Sequence, residues 1–187
     1  MNFPRILKKR KGYIDRIKPF MQKSVVKVLT GQRRVGKSFL LYQLIEEILG
    51  EEPDANIIYV NLEDFTFSSL QTAEDLHSYI ISHSKEKVKN YIFIDEIQDI
   101  PGFEKVIRSL LLNEDNDIYI TGSNAKMLSG ELATYLSGRY IEFKIYSLSY
   151  SEFLEFHGLT ESETSYELYS RYGGLPYLLN LPLEDET

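Results

Sequence analysis

Residues 31–38 have the types and the spacing needed to bind a polyphosphate. They read GQRRVGKS, which fits the pattern G-x-x-x-x-G-K-S. Gly31 and Gly36 permit backbone angles closed to other residues, so the main-chain N–H groups of this loop can approach phosphate oxygens closely. We expect the ammonium group of Lys37 to reach the β- and γ-phosphates and the hydroxyl of Ser38 to ligate Mg²⁺.

Two adjacent carboxylates, Asp95 and Glu96, give a second chemical signal. They follow an apolar run over 91–94 that predicts a buried strand, and open α/β sheets bind ligands at the carboxyl ends of their strands. This is a Walker B pattern, in which Asp95 holds Mg²⁺, directly or through water, and Glu96 polarises the attacking water as general base. Because acidic residues are common in turns, the Asp95–Glu96 pair alone is weak evidence for a nucleotide site. Together with the upstream glycine-rich loop it is strong evidence.

The segments around the glycine-rich loop have the periodicity needed to position it. A β-branched run over 25–29 precedes the loop, and apolar residues at helical spacing follow it from Phe39 to Leu49. The helix begins where the loop ends, so its unpaired N–H groups and its positive dipole end add to the same anion site. A chance match would be a glycine-rich turn with an exposed lysine, but here the required strand and helix flank the loop.

The remaining chain alternates between strand and helix patterns. Further strands are predicted over 56–61, 91–96, 117–121 and 140–145, and helices over 4–22, 72–88, 103–112, 124–136, 149–157 and 163–172. A break of the first helix at Pro19 is the open alternative. Alternating strands and helices predict an α/β fold with a five-stranded, mostly parallel sheet and helices on both faces. One predicted strand, 56–61, lies between the loop and the two acids in the chain, which together with Glu96 resembles the P-loop branch whose carboxylate lies on the strand next to the loop strand. The resemblance therefore implies that the carboxylate strand is the neighbour of the loop strand.

Composition narrows the class of protein. The chain has 187 residues, of which 43% are hydrophobic and 26% charged, as in an ordinary globular protein. No apolar run is long enough to span a bilayer, so no membrane partner is predicted. The absence of cysteine excludes a disulfide framework and makes the cytoplasm the default location. The three histidines are isolated and form no metal-ligand spacing.

Charge is distributed unevenly along the chain. Residues 1–37 contain 12 of the 21 Lys and Arg residues and a single acid, Asp15, for a net charge of +11, which leaves −18 on the remaining 150 residues. The basic cluster could be an arm that contacts nucleic acid, phosphate or a protein partner, or a solvated helix face packed beside the acidic remainder. Its residues are Arg5, Lys8, Lys9, Arg10, Lys11, Arg16 and Lys18.

Four motifs together resemble those of the AAA+-type P-loop ATPases, close to a group of predicted bacterial and archaeal ATPases with STAND-like features. They are TGQRRVGKSFLLYQL, YIFIDEIQD, IYITGSN and LSGRYIEFKIYSLSYSEFLEF, with YGGLPYLL as a weaker fifth. The resemblance covers nearly the whole chain and implies a three-layer P-loop NTPase of the ASCE/AAA+ type. It further implies an ATPase core with its N-terminal helix over 1–146 and the start of a helical lid over 147–187. Members of this group have a complete lid and a large C-terminal domain, so this chain is expected to be either a fragment or a shortened member.

The resemblance also implies the residues that bind the cofactors ATP and Mg²⁺. Ser38 and Asp95 would hold the metal. Nucleotide contacts are expected from the loop and the first residue beyond it: Gly31, Gln32, Arg33, Arg34, Val35, Gly36, Lys37, Ser38 and Phe39. Pro176 would pack near the adenine.

Further roles are implied near the reacting γ-phosphate. Ser123 or Asn124 would read the γ-phosphate as a sensor, and Asn61 would hold Glu96 inactive. Arg139 lies in the neighbourhood of the family's arginine finger, which stabilises transition-state charge, often from a neighbouring subunit of a homo-oligomer. A surface ion pair is the alternative for Arg139.

These residues leave two functions open. The first is Mg²⁺-dependent ATP hydrolysis with Glu96 as the base. The second is a nucleotide-dependent switch, holding ATP or ADP with little hydrolysis and recruiting DNA or a protein. A P-loop kinase is disfavoured by the Asp95–Glu96 pair. The preference for ATP over GTP comes from the resemblance, since no N-K-x-D motif is present.

Overall fold

A five-stranded sheet lies at the centre of the structure, a computed structural model that describes residues 8–122, 135–136 and 138–180. All strand pairs are parallel, in the order β2-β3-β4-β1-β5. The strands are β1 (Val26–Thr30), β2 (Asn56–Asn61), β3 (Asn90–Asp95), β4 (Asn116–Gly122) and β5 (Tyr140–Lys144). The predicted α/β fold is confirmed, and the glycine-rich loop and the carboxylates share the carboxyl edge of the sheet.

One prediction about this sheet is wrong. The carboxylate strand β3 does not lie beside the loop strand β1, because β4 pairs with both and separates them. Chain order does not determine spatial order in a parallel sheet, since a crossover connection can pass over a neighbouring strand. As a consequence, the end of β4 lies between the loop and Asp95, and Thr121 is part of that end.

Helices cover both faces of the sheet and make it the middle of three layers. Strand side chains alternate between two apolar clusters: Val26 and Val28 belong to the cluster of Leu76 and Phe103, whereas Leu29 belongs to that of Ile14 and Leu40. The helices are α1 (Lys11–Ile17), α2 (Lys37–Glu51), α3 (Ala73–His83), α4 (Phe103–Leu110), α5 (Tyr150–His157) and α6 (Glu163–Tyr172). None of the helices in the described ranges is long and apolar enough to cross a bilayer.

Helices α5 and α6 pack on each other around a small cluster of their own. Leu148, Phe153, Phe156 and Leu168 are its buried members. Each helix begins with a capping box, formed by Ser149 with Glu152 in α5 and by Ser162 with Ser165 in α6. Capping boxes stabilise the first turns of both helices; the lid segment and its boundary at residue 146 stay predictions.

The N-terminal helix is shorter than predicted. The α-helix predicted over 4–22 is interrupted at Pro19, which is the alternative that the sequence left open: the structure has α1 and then a short 3-10 helix, Lys18–Phe20. Pro19 has no N–H group to continue an α-helix, and its ring clashes with the preceding turn. Residues 1–7, and most of the helix predicted over 124–136, lie outside the described residues.

A fully buried ion pair lies between β1 and β4, near the amino ends of the strands. Lys27 donates to Asp117, and both side chains are completely inaccessible to solvent. Asp117 also accepts from the Tyr119 hydroxyl at 2.7 Å and from the Gln22 N–H at 2.8 Å. Burial lowers the pKa of Lys27, and Asp117 opposes that shift. The carboxylate therefore compensates a desolvated ammonium group.

We expect Asp117→Asn to lower the free energy of unfolding by about 3–5 kcal/mol, because removing one partner leaves an uncompensated buried charge. Urea denaturation measures the loss. The exposed neighbour Glu114 provides a control: Glu114→Gln should stay within about 0.5 kcal/mol of wild type. Equal stability of the two variants would contradict a charged Lys27 in the folded protein.

Candidate nucleotide-binding site

The loop over residues 31–36 has a backbone that depends on glycine. Gly31 and Gly36 have φ values of 154° and 95°, and Arg34 has a φ of 66°. A Cβ atom on Gly31 would lie 2.2 Å from the carbonyl oxygen of Ile145, just beyond β5. Since the Ile145 N–H donates to Thr30 at 2.7 Å, the backbone after β5 is fixed against the start of the loop.

The Lys37 ammonium group lies inside this loop. The residue is 4% exposed, and Nζ donates to the carbonyl oxygens of Gly31 at 3.2 Å and Gln32 at 3.1 Å. A third oxygen, Oε1 of Glu96, is 3.4 Å away. A buried cation is therefore held at the centre of the loop, where the N-terminus of α2 also attracts anions.

Asp95, the last residue of β3, is 1% exposed and contacts three hydroxyl groups. Thr121 donates to one carboxylate oxygen, Tyr59 donates to the other at 3.4 Å, and Ser38 is a further hydrogen-bond partner. Burial raises the pKa of Asp95, while the bonds from Ser38 and Thr121 oppose that shift. A hydroxyl beside one carboxylate, with phosphate oxygens and water to complete the shell, suits Mg²⁺ at a nucleotide site.

Glu96 is held in place from three directions. Its φ of 54° lies in the left-handed region, which is uncommon for a residue other than glycine and is found at functional sites. The Gln98 amide donates to Oε2 at 2.6 Å, Lys37 lies beside Oε1, and the Glu96 N–H donates to Thr121 Oγ1 at 3.0 Å. The Glu96 carboxylate is thus engaged by protein groups.

Sequence reasoning missed Thr121, Gln98 and Tyr59. Thr121 accepts from the Glu96 N–H and donates to Asp95, so one hydroxyl fixes both acidic residues. Thr121 and Gln98 lie within IYITGSN and YIFIDEIQD, two of the segments that carry the family resemblance, where their polar types were the available signal. No sequence signal pointed to Tyr59, whose position depends on the packing of β2 against β3.

The remaining loop residues lie in different environments. Gln32 and Arg34 are exposed, and Arg33 pairs on the surface with Glu63 at 2.7 Å. Val35 is buried in the core below the loop. Phe39, in the first turn of α2, is 48% exposed. Their contacts with nucleotide stay predictions.

Pro176 and Asn61 both lie near the site. The Pro176 ring packs against Gly36, where an added Cβ would be 3.6 Å from its Cγ, so the segment after α6 reaches the loop. Asn61 is opposite Asp95 in the pairing of β2 with β3, but its side-chain oxygen accepts from the Glu63 N–H at 3.0 Å. The amide that contacts Glu96 belongs to Gln98.

Arg139 lies at the opposite edge of the sheet. Its carbonyl accepts from the N–H of Val26, the first residue of β1, whereas the loop follows the last residue of that strand. The separation along the strand is roughly 15 Å, so Arg139 does not contact the loop of its own chain. The predicted sensors Ser123 and Asn124 lie outside the described residues.

We expect Gly31→Ala to destabilise the protein by more than about 1 kcal/mol, because the position has a positive φ and a carbonyl where the methyl group would lie. Thermal unfolding measures the effect. Gly12 in α1 is the matched control, since open space surrounds it and Gly12→Ala should stabilise by about 0.5–1 kcal/mol. A gain of stability in both variants would contradict the close approach of the Ile145 carbonyl to Gly31.

Thr121→Val should weaken binding of Mg²⁺-nucleotide about tenfold, because the Asp95 carboxylate loses the hydroxyl group that orients it. It should also lower the free energy of unfolding by about 1–3 kcal/mol, since the Glu96 N–H is left buried without an acceptor. Thr121→Ser keeps the hydroxyl and should bind like wild type. Titration with a fluorescent nucleotide compares the two. If Thr121→Val and Thr121→Ser bind the nucleotide with equal affinity, the Thr121 hydroxyl group has no role in the nucleotide site.

Solved structures share this fold at low sequence identity. The Saccharomyces cerevisiae Hsp104–casein complex aligns with a TM-score of 0.63 and 15% identity, over 93% of this chain and 36% of that one. AMPPCP-bound DnaA from Aquifex aeolicus aligns with a TM-score of 0.56 and 13% identity, over 94% of this chain and 61% of that one. Aeropyrum pernix ORC1 in complex with DNA aligns with a TM-score of 0.56 and 14% identity, over 88% of this chain and 50% of that one.

Two curated proteins are similar in sequence. A protein of Haemophilus influenzae, described as uncharacterized, is 41% identical over 176 residues, which are 89% of this chain and 43% of that protein. A second, from Methanocaldococcus jannaschii, is 37% identical over 132 residues, 70% and 28% of the two chains. This chain therefore spans less than half the length of these relatives.

A family model described as an AAA domain matches residues 23–154. That segment runs from the residues before β1, through the glycine-rich loop and both carboxylates, into α5. Since it is well over half of the chain, this protein belongs to the AAA domain family, with the fold of an AAA+-type P-loop ATPase.

Proposed function

We propose that the chain binds Mg²⁺-ATP in the loop over 31–38 and hydrolyses it with Glu96 as the general base. The observation that carries this proposal is the meeting of Lys37, Asp95 and Glu96 in one buried site at the carboxyl edge of the sheet. Lys37 and Glu96 lie 3.4 Å apart and Asp95 is 1% exposed, and buried charged groups are stabilised by opposite charges or by metal ions. A magnesium triphosphate supplies both signs of charge.

Phosphate binding in this proposal replaces contacts that the loop makes with itself. Lys37 exchanges the carbonyl oxygens of Gly31 and Gln32 for phosphate oxygens, and the first N–H groups of α2 donate to the same anion. Ser38 and Asp95 would hold Mg²⁺, which would supply positive charge to neutralise the phosphates. Positioning and charge neutralisation then supply most of the catalysis.

Proton transfer in this proposal needs a free Glu96 carboxylate. Lys37 leaves Oε1 when it moves to the phosphates, and Gln98 must release Oε2 before that oxygen accepts a proton from the attacking water. General-base catalysis of this kind contributes about 10²–10⁴-fold to a rate. Since Arg139 is at the far edge of the sheet, it would act only on the site of another subunit, in a homo-oligomer.

A second candidate is a nucleotide-dependent switch with little hydrolysis of its own. It is favoured by the engaged state of Glu96, both of whose oxygens lie beside protein donors. Recruitment of DNA, as in the similar ORC1 complex, would need a free basic arm. Instead, Lys9 and Lys18 both pair with Glu47, and Arg10 is buried against Glu152. These contacts favour the packed-face interpretation of this basic segment.

Steady-state phosphate release tests the hydrolase proposal. We expect Glu96→Gln to bind Mg²⁺-ATP with near wild-type affinity but to release phosphate about 10²–10⁴ times more slowly. Lys37→Ala should weaken binding about 10–100-fold, since a hydrogen bond to a charged group is worth about 1.5–3 kcal/mol. Glu114→Gln changes an exposed carboxylate just before β4, at the opposite edge of the sheet from the loop, and serves as the control.

If the wild-type protein binds Mg²⁺-ATP tightly but releases no phosphate, even at concentrations that favour oligomers, the hydrolase proposal is wrong and the nucleotide-dependent switch is favoured. Binding that survives Lys37→Ala unchanged would contradict the proposed site in either form.

A further inference from the structure

Arg10 is a buried arginine in the segment before α1, and it is 4% exposed. Its guanidinium group forms a two-pronged pair with Glu152 of α5, Nε to Oε1 and an NH2 nitrogen to Oε2, each at 2.9 Å. The same group stacks over the Tyr13 ring at 4.5 Å. A planar guanidinium matches a carboxylate in this way, and a lysine does not.

The remaining donors of Arg10 go to two other parts of the chain. NH1 donates to the carbonyl oxygen of Val35, within the glycine-rich loop, at 3.2 Å and to that of Tyr146 at 2.8 Å. NH2 donates to Ser147 at 3.4 Å. A guanidinium group has five N–H donors, so every donor is used and none is left for an alternative arrangement.

The backbone of the segment that contains Arg10 is fixed by the side chain of Gln43. Its N–H donates to Oε1 of Gln43 in α2 at 2.9 Å, and the Gln43 amide donates back to the Lys8 carbonyl at 3.0 Å. Glu152 is equally constrained, because its Oε2 also accepts from the Ser149 N–H at the start of α5. Burial raises the pKa of Glu152, but hydrogen bonds from Arg10 and Ser149 outweigh it and leave that pKa below its ordinary value.

We propose that Arg10 is a positioning residue that couples the glycine-rich loop to the α5–α6 segment, so that the state of the nucleotide site and the position of α5 change together. The proposal extends the proposed function by naming a regulatory connection of the same site. It follows from geometry: Val35 in the loop and Glu152 in α5 share one saturated cation, so a shift of either breaks bonds to the other. Coupling between two sites is reciprocal.

The test uses Glu152→Gln, a change on α5 that does not touch the loop. Glutamine at this position keeps the capping box of α5 but loses the charge and one of the two oxygens that Arg10 uses. Hydrogen exchange of the nucleotide-free protein should then be at least about five times faster in residues 31–38, with unchanged exchange in β3. Glu47→Gln, which removes the pairs with Lys9 and Lys18, should leave the loop unchanged.

A second variant tests the nucleotide-linked direction. In wild type, Mg²⁺ with AMPPCP should slow exchange in α5, and Arg10→Lys should bind the nucleotide yet lose that protection. Unchanged loop exchange in Glu152→Gln would overturn the coupling. So would full protection of α5 in Arg10→Lys. If wild type binds no nucleotide, the proposed function fails, while the nucleotide-free comparison still decides the role of Arg10.

Discussion

The ammonium group of Lys37 is the constraint on which the site depends. It is buried with no bulk water to solvate it, and its nearby acceptors are the Gly31 and Gln32 carbonyls and the Glu96 carboxylate. A desolvated cation requires compensating oxygens. These three groups supply them, and a bound triphosphate would offer stronger ones. Exchange between the two sets would link phosphate binding to the release of Glu96.

The sheet provides the rigidity that such an exchange requires. Because β4 lies between β1 and β3, Thr121 comes between the loop and the carboxylates and fixes the Asp95 side chain and the Glu96 backbone. The other side of the loop is fixed where the Ile145 carbonyl lies against Gly31, and Pro176 covers Gly36. Contacts of Val35 with Arg10 connect the loop to α5. The site is therefore enclosed by parts of the chain that lie far apart in sequence.

Sequence reasoning located the parts of the site that are local in the chain. The glycine-rich loop, the strand before it, the helix after it and the two acids at the end of β3 all have short-range patterns. The strand order was not predictable in the same way, since which strands become neighbours depends on crossovers and packing. The roles of Thr121, Gln98 and Arg10 also depend on contacts between distant segments. Arg10 was grouped with a basic cluster because sequence shows charge and not burial, whereas the break at Pro19, left open in the helix predicted over 4–22, followed from a local property of proline and is present in the structure.

The most direct test of the account is a crystal structure of this chain with Mg²⁺ and AMPPCP. We predict phosphates bound by the N–H groups of residues 31–38, with Lys37 Nζ moved from the Gly31 and Gln32 carbonyls to phosphate oxygens, and Mg²⁺ beside Ser38 and Asp95. A nucleotide bound elsewhere, or a loop that keeps Lys37 on its own carbonyls with the nucleotide present, would contradict the central claim.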